Sequence, residues 1–227
     1  MLLLAIDTCG ATGTVALASL DDTLRLIEQT ELAGKTYSAR LVPAIRSLLA
    51  AHDATLAAIA TVVVTKGPGS FTGIRIGLST AKGLAEPNSI PLLAVSRLGV
   101  LANKAQAQAA ALDASRSEFY FGDFSDPVAS EKLIGRETFL ALAGALGRQL
   151  AVCEPSLHGL APGATLVDSP TAFDALRSVL PRLRAGEFDD PLLLDGNYIR
   201  RSDAEIFSGP GASAPGTRSR PPVSSRA

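Results

Sequence analysis

Ala60-Thr61-Val62-Val63-Val64-Thr65, followed almost at once by Gly67-Pro68-Gly69-Ser70-Phe71-Thr72-Gly73-Ile74-Arg75-Ile76-Gly77, describes a buried strand that breaks sharply into a helix. Glycines at 67 and 69 permit backbone angles that a side chain forbids, and Ser70 or Thr72 is placed to cap the helix by accepting a bond from its free amides. A helix start of this kind attracts anions. It also sets Gly73 and Gly77 on one face, continued by Ala81, which lets another helix approach closely. Two functional readings follow, an anion or nucleotide contact through Gly67, Gly69, Ser70 and Thr72, or a docking surface. Neither common phosphate loop fits. A Walker loop needs a second glycine after four intervening residues and then Lys-Ser/Thr, but counting from Gly67 or Gly69 puts Thr72 or Ile74 there. The dinucleotide fingerprint fails because Thr72 stands where its third glycine belongs. The plain alternative is a tight strand-to-helix turn.

The chain has 227 residues, 47% of them apolar, enough to bury roughly 70% of its unfolded surface in one large or two small domains. A formal net charge of −1 provides no global basic field for gripping a nucleic-acid backbone unaided. Any RNA contact therefore falls largely to a partner. Two cysteines, Cys9 and Cys153, suit a reducing cytoplasm better than a disulfide framework. The apolar start Met1-Leu2-Leu3-Leu4-Ala5-Ile6 lacks a basic leader and reaches Asp7 too soon for a signal peptide or a membrane span. It reads as a buried first strand. Ser208 to Ala227 is rich in Gly, Pro, Ser and Ala, with Arg218, Arg220 and Arg226 its only charges, and is expected to be a flexible, disordered tail.

Leu2 to Ile6, Thr14 to Leu20 and Thr23 to Thr30 read as an antiparallel meander, separated by Thr8-Cys9-Gly10-Ala11-Thr12-Gly13 and by Asp21-Asp22. From Thr36 to Ala51 the period changes, with Tyr37, Leu41, Ile45, Leu48 and Leu49 on one helical face. Pro43 predicts either a start near Arg40 or a bend. Ala60 to Thr65 is the fourth strand. Thr72 to Ala85 is the second helix, with Ile74, Leu78, Ala81 and Leu84 on its apolar face, and Glu86-Pro87-Asn88 stops it. Pro91 to Val95 is a short fifth strand, and Ser96 caps a third helix running to about Gln108. This order predicts an α/β architecture with a mixed sheet covered by helices, as in one half of the actin-like, ribonuclease-H-like fold. The second half opens again with Ala109 to Asp113 and the alternating Glu118 to Phe124, which predicts a duplication. Beyond Pro127 it reads as a reduced copy, with helices at Arg136 to Leu146 and Thr171 to Leu183 and strands near Gln149 to Cys153 and Thr165 to Val167. The expected division is an N-terminal subdomain over 1–108, a reduced C-terminal subdomain over 109–207 and the tail over 208–227.

The chemical inventory is thin. His52 and His158 are the only histidines, so a metal site built on a two-histidine helix is excluded. His52 closes the first helix, where the C-terminal dipole favours an imidazole. Asp7 and Asp113 end the first strand of each half, where phosphate-transferring members of the actin-like class place metal and catalytic carboxylates. Asp7 otherwise serves hydrogen bonds that fix its own turn. Asp7-Thr8-Cys9-Gly10 begins like a phosphate hairpin, but no second phosphate loop is evident. Arg75, a cation in the first turn of a helix, calls for an anionic partner or lays its stem over apolar surface. Ser70 is no hydrolase nucleophile, because Pro68 occupies a required glycine position and no histidine lies nearby in sequence.

Taken together, Ala5-Ile6-Asp7-Thr8, Val15-Ala16-Leu17, the stretch Lys66 to Gly77 and Asp113-Ala114-Ser115-Arg116 resemble the bacterial TsaB family, also called YeaZ. The likeness covers residues 1 to about 125 and returns at Asn197-Tyr198-Ile199-Arg200-Arg201-Ser202-Asp203-Ala204-Glu205. It departs at Lys35-Thr36-Tyr37-Ser38, where many members carry a histidine before the Leu-x-Pro segment, here Leu41-Val42-Pro43. The resemblance implies a cytoplasmic, non-catalytic scaffold or activating subunit of the machinery that forms N6-threonylcarbamoyladenosine in tRNA beside the anticodon. It implies no catalytic residues, no metal and no intrinsic cofactor in this chain, with ATP and metal on partner subunits. The implied partners are a TsaD-like catalytic subunit, a TsaE-like ATPase, a second copy when the chain is alone, and tRNA through the complex, with no membrane. Pairing runs through the helices of the first half, so Tyr37, Leu41, Ile45, Phe71, Gly73, Ile74, Arg75, Gly77, Leu78 and Ala81 are the expected interface. Asp7, Thr8, Gly67, Gly69, Ser70, Thr72 and Asp113 are the expected anion or nucleotide contacts. The rival functions are an autonomous actin-like ATPase or kinase, a glycoprotease of the same superfamily, and an interaction module of another pathway.

Overall fold

The computed structural model describes residues 1–126 and 128–199. The expected disordered tail, and Arg200 to Glu205 of the family motif, lie outside them. Strands β1 (Leu2–Asp7), β2 (Thr12–Leu20) and β3 (Leu24–Ala33) form the antiparallel meander that the turn residues predict. β4 (Ile59–Thr65) and β5 (Leu92–Val95) add in parallel on the other side of β1, giving the order β3-β2-β1-β4-β5.

Alternation along β1 decides what each face meets. Leu4 and Ile6 pack with α1 (Tyr37–Ala51) and α2 (Phe71–Ala85), whereas Leu3 and Ala5 pack with α6 (Ala172–Ala185). Both faces are apolar because both are covered, as expected of a sheet whose central strands run parallel.

The second sheet repeats the first. Strands β6 (Ala109–Asp113), β7 (Glu118–Asp123) and β8 (Ser130–Gly135) form a meander, and β9 (Leu150–Val152) and β10 (Thr165–Leu166) extend it in parallel, in the order β8-β7-β6-β9-β10. Helices α4 (Arg136–Leu146) and α5 (Pro155–Leu160) cover its outer face around the stacked rings of Phe119 and Phe139, whose centroids lie 4.3 Å apart. The two halves exchange their last helices. α3 (Arg97–Ala105), which follows β5, lays Leu98, Leu101 and Ala102 on Ala110, Leu112 and Ala151 of the second sheet. α6, which follows β10, lays Leu176 and Val179 on the first.

The architecture is therefore the duplicated actin-like one, with a reduced second half. Several boundaries differ from those read in the sequence. α1 starts at Tyr37 rather than near Arg40 and carries Pro43 inside it, on the exposed side where the freed Ala39 carbonyl faces water. α3 ends at Ala105, short of Gln108, because Gln106 takes a left-handed conformation at φ 53°. β8 and α5 were not read at all. The first has only Leu133 and Ile134 as strong apolar residues, and the second is a single Pro-started turn and a half.

Candidate functional site

The β4–α2 junction sits on the β1–β2 hairpin. Gly69 has φ +153°, and a Cβ there would lie 2.3 Å from the Cys9 carbonyl oxygen, so only glycine fits. Ser70 donates its backbone N–H to that carbonyl at 2.8 Å, and its hydroxyl caps α2 by accepting from Gly73 N–H at 3.2 Å. Thr8 donates its hydroxyl to the Gly73 carbonyl at 2.7 Å.

Behind this loop lies a buried charged pair. Asp7, 1% exposed, accepts at Oδ1 from Cys9 N–H at 2.9 Å and from the Thr65 hydroxyl at 2.7 Å. Its Oδ2 faces Arg97 Nε at 3.5 Å. That contact lacks hydrogen-bond geometry, so the attraction is Coulombic. Arg97 donates Nη2 to the Ser169 hydroxyl at 3.2 Å and its backbone N–H to the Gly67 carbonyl at 2.7 Å. Burial, the largest single influence, works against its charge, but Asp7, Cys9, Cys153 and Glu154 together outweigh it and hold the guanidinium above its ordinary range.

Between the halves opens a cleft of about 670 Å³, with Cys9, Gly69, Ser70 and Arg97 on one side and Asp113 and Glu154 on the other. Of the residues expected to contact an anion, Gly69, Ser70 and Asp113 meet at this cleft. Asp7, Thr8 and Gly67 are turned into the fold, and Thr72 is exposed on α2. The metal-bound nucleotide of phosphate-transferring actin-like proteins does not fit these residues. Asp7, the carboxylate at the end of β1, has both oxygens engaged by the chain's own groups. Glu154 Oε2, at the cleft, is a buried acceptor without a donor, which repels phosphate. Among the described residues no three His, Cys, Asp or Glu side chains gather as a metal-binding set.

Burial, then the nearby Asp7, pushes the Cys9 thiol from 9.0 up to about 12. Burial, then Glu154, does the same for Cys153. Both folded values lie above the unfolded one, so the stabilisation these protons give is complete below about pH 9 and is lost as pH rises toward about 12. Thermal melts are expected to fall from about pH 9 upward, and less steeply in Cys9→Ala. Equal slopes in the two proteins would remove Cys9 as a cause.

The expected interface needs correction. Tyr37, Leu41 and Ile45 of α1, and Gly73, Ile74, Gly77, Leu78 and Ala81 of α2, are buried within the chain's own core. The small-residue stripe accommodates this protein's own hairpin, since a Cβ on Gly77 would lie 2.4 Å from Thr8 Oγ1. Phe71 and Arg75 are exposed. The Arg75 guanidinium lies 4.0 Å from the Phe71 ring centroid, and the Phe71 ring is 5.0 Å from that of Tyr198. The outward side of α2 is one residue out of phase with the predicted stripe and carries Thr72, Ile76, Ser79 and Gly83. A Cβ on Gly83 would meet nothing within 4 Å. Arg97 escaped the sequence reading. Its one signal is a cation in phase with the buried positions Leu98 and Leu101 of an amphipathic helix.

A family model described as TsaD, tRNA N6-adenosine threonylcarbamoyltransferase, matches residues 26–161. The tRNA threonylcarbamoyladenosine biosynthesis protein TsaB of Bacillus subtilis is 44% identical over 102 residues, covering 45% of this chain and 44% of that protein. Its namesake in Escherichia coli is 35% identical over 130 residues, covering 55% of each. The chain spans about half the length of the curated relatives it matches. Among solved structures, YeaZ from Pseudomonas aeruginosa superposes with a TM-score of 0.68 at 26% identity, covering 86% of this chain and 100% of that one.

Proposed function

Because the chain belongs to the TsaB (YeaZ) family of tRNA threonylcarbamoyladenosine biosynthesis proteins, we propose that it is a non-catalytic subunit of the assembly that modifies the adenosine beside the tRNA anticodon. It pairs with a TsaD-like catalytic subunit in the cytoplasm, a TsaE-like ATPase joins them, and tRNA is met within the complex. ATP and metal belong to the partners. The carrying observation is the state of Asp7. The carboxylate best placed for phosphate chemistry is buried and held by Thr65, Cys9 and Arg97 of the same chain. No helix among the described residues is long and apolar enough to cross a membrane.

Docking through α1 and α2 is supported by what these helices leave outside. Val42 and Phe71 are 47% and 37% exposed, and Thr72, Ser79 and Gly83 on the outward side of α2 are small enough for a neighbouring helix to approach. Gly83→Leu is the variant for this contact, because it removes a helix-weakening glycine and strikes nothing inside the chain. It is expected to melt no lower than the parent and to stop co-eluting with the TsaD-like subunit. Unchanged co-elution would move the contact off this part of α2. The pathway is tested by mass spectrometry of tRNA nucleosides after depletion of the protein. Loss of the threonylcarbamoyl-modified adenosine is the expected result, and its persistence would remove the pathway assignment.

A further inference from the structure

The cleft between the halves has incomplete hydrogen bonds and divided charge. Among the described residues, Arg97 Nε and Glu154 Oε2 are the two buried side-chain polar atoms without a hydrogen-bond partner, and both residues line this cleft. Buried polar groups are ordinarily paired, so two orphans at one cavity call for something from outside the chain. Among the described residues the charged side chains lining the cleft are Lys35, Arg97, Asp113 and Glu154. The two cations belong to the first half of the chain and the two acids to the second. Arg97 is only 6% exposed; Asp7 faces its Nε and Ser169 takes its Nη2, but Nη1 has no acceptor among the described residues. Glu154 is near enough to help hold that guanidinium charged, yet the two make no ion pair.

The duplication accounts for the acid wall. In the first half Asp7 ends β1 and accepts the hydroxyl of Thr65, which ends the neighbouring parallel strand β4. In the second half the register that sets Ala110 of β6 against Ala151 of β9 leads to Asp113 on one strand and, just past the other, to Glu154. A carboxylate thus stands where the first half has a hydroxyl donor. Asp113 Oδ1 accepts from Ser115 N–H at 2.7 Å, and neither acid can donate to the other when both are ionised. A cationic donor is what this pair lacks.

We propose that this cleft binds a small zwitterion of the free amino-acid type, with Arg97 and Lys35 taking its carboxylate and Glu154 and Asp113 its ammonium. Charge-assisted hydrogen bonds at both ends satisfy the orphaned groups together. A plain anion such as phosphate is opposed by the acid wall and a plain cation by Arg97, so a ligand must carry both charges to gain from both walls. The volume of about 670 Å³ is within the range of small-molecule sites and leaves room for a side chain and water beside the head group. Its place, outside the carboxyl ends of β1 and β6, is where sheets with parallel central strands bind ligands.

The full chain is titrated with each of the free L-amino acids found in proteins, up to about 10 mM, and binding is read by saturation-transfer NMR. At least one is expected to bind with a Kd of about 1 mM or tighter. Its N-acetyl derivative, which lacks the ammonium, and its decarboxylated amine, which lacks the carboxylate, are each expected to bind at least about tenfold more weakly. Glu154→Gln removes a charge at nearly constant volume, and is expected to melt no lower than the parent and to lose at least about tenfold in affinity. Asp113→Asn keeps the Oδ1 acceptor for Ser115 and is expected to weaken binding in the same direction, which keeps the test open if Glu154→Gln does not fold. Binding by none of the amino acids leaves the two orphaned atoms to ordered water and overturns the proposal. Equal binding of the acetylated form or of the amine overturns it too, as does affinity unmoved in both acid variants. Displacement of the amino acid by magnesium ATP at lower concentration makes the cleft a nucleotide site instead. Neither a partner subunit nor tRNA enters the measurement, so the pathway assignment can fail without altering these outcomes.

Discussion

Arg97→Ala is expected to lower the stability of the fold by about 3 to 5 kcal/mol, because it leaves the Asp7 carboxylate buried without its counter-charge. For a chain of this size that corresponds to a fall of roughly 10 °C in Tm. The guanidinium also joins parts far apart in sequence. It links the end of β1 to Ser169, which precedes α6, while the Arg97 backbone N–H, kept in the alanine variant, holds the Gly67 carbonyl of the β4–α2 junction. Space around it is so limited that a Cβ on Gly10 would lie 2.5 Å from Nη2. Denaturant or thermal unfolding of Arg97→Ala, of Asp7→Asn and of the double variant Asp7→Asn/Arg97→Ala measures the coupling. The double variant is expected to be less destabilised than the sum of the singles, since removing both charges leaves neither unpaired. A loss below about 1 kcal/mol in Arg97→Ala would show that the pair does not hold this region together.

Gly73→Val is the second large effect. A Cβ at this position would stand 2.0 Å from the Thr8 carbonyl oxygen, which is backbone and has no rotamer in which to yield. The first turn of α2 must lift from the hairpin, breaking the 2.7 Å bond from the Thr8 hydroxyl to the Gly73 carbonyl. Overpacking together with that loss is expected to destabilise by about 3 kcal/mol, read as a shifted unfolding midpoint. The comparison with Gly83→Leu is informative, because both glycines lie on α2 and only one faces the core. If Gly73→Val melts like the parent, the hairpin and helix are not in the close contact described.

Much of this was legible in the chain itself. Val62-Val63-Val64 announces a strand covered on both sides, Asp21-Asp22 marks a hairpin turn, and the repeated opening at Ala109 announces the second half. The glycines at the β4–α2 junction mark a close approach in the sequence, and in the fold the chain's own Thr8 fills it. Helical periodicity says which residues share a face and is silent on whether that face meets the molecule's own sheet or another protein. Here Thr8 supplies the answer, and no local pattern points to it. Arg97 shows the same limit, since it lies about ninety positions from Asp7 in sequence, and a lone arginine near a helix start reads as solvated. β8 was missed because Ser130-Glu131-Lys132 is polar on both sides, as an edge strand tolerates.

The exchange of α3 and α6 ties manufacture to geometry. While the polypeptide is being made, the inner side of the first sheet stays bare until residues 172–185 have left the ribosome, although every strand of that sheet emerged long before. The first half therefore has no finished resting state of its own, and a nascent chain stalled between β5 and α6 presents Leu3, Ala5 and Val63 to whatever chaperone is at hand.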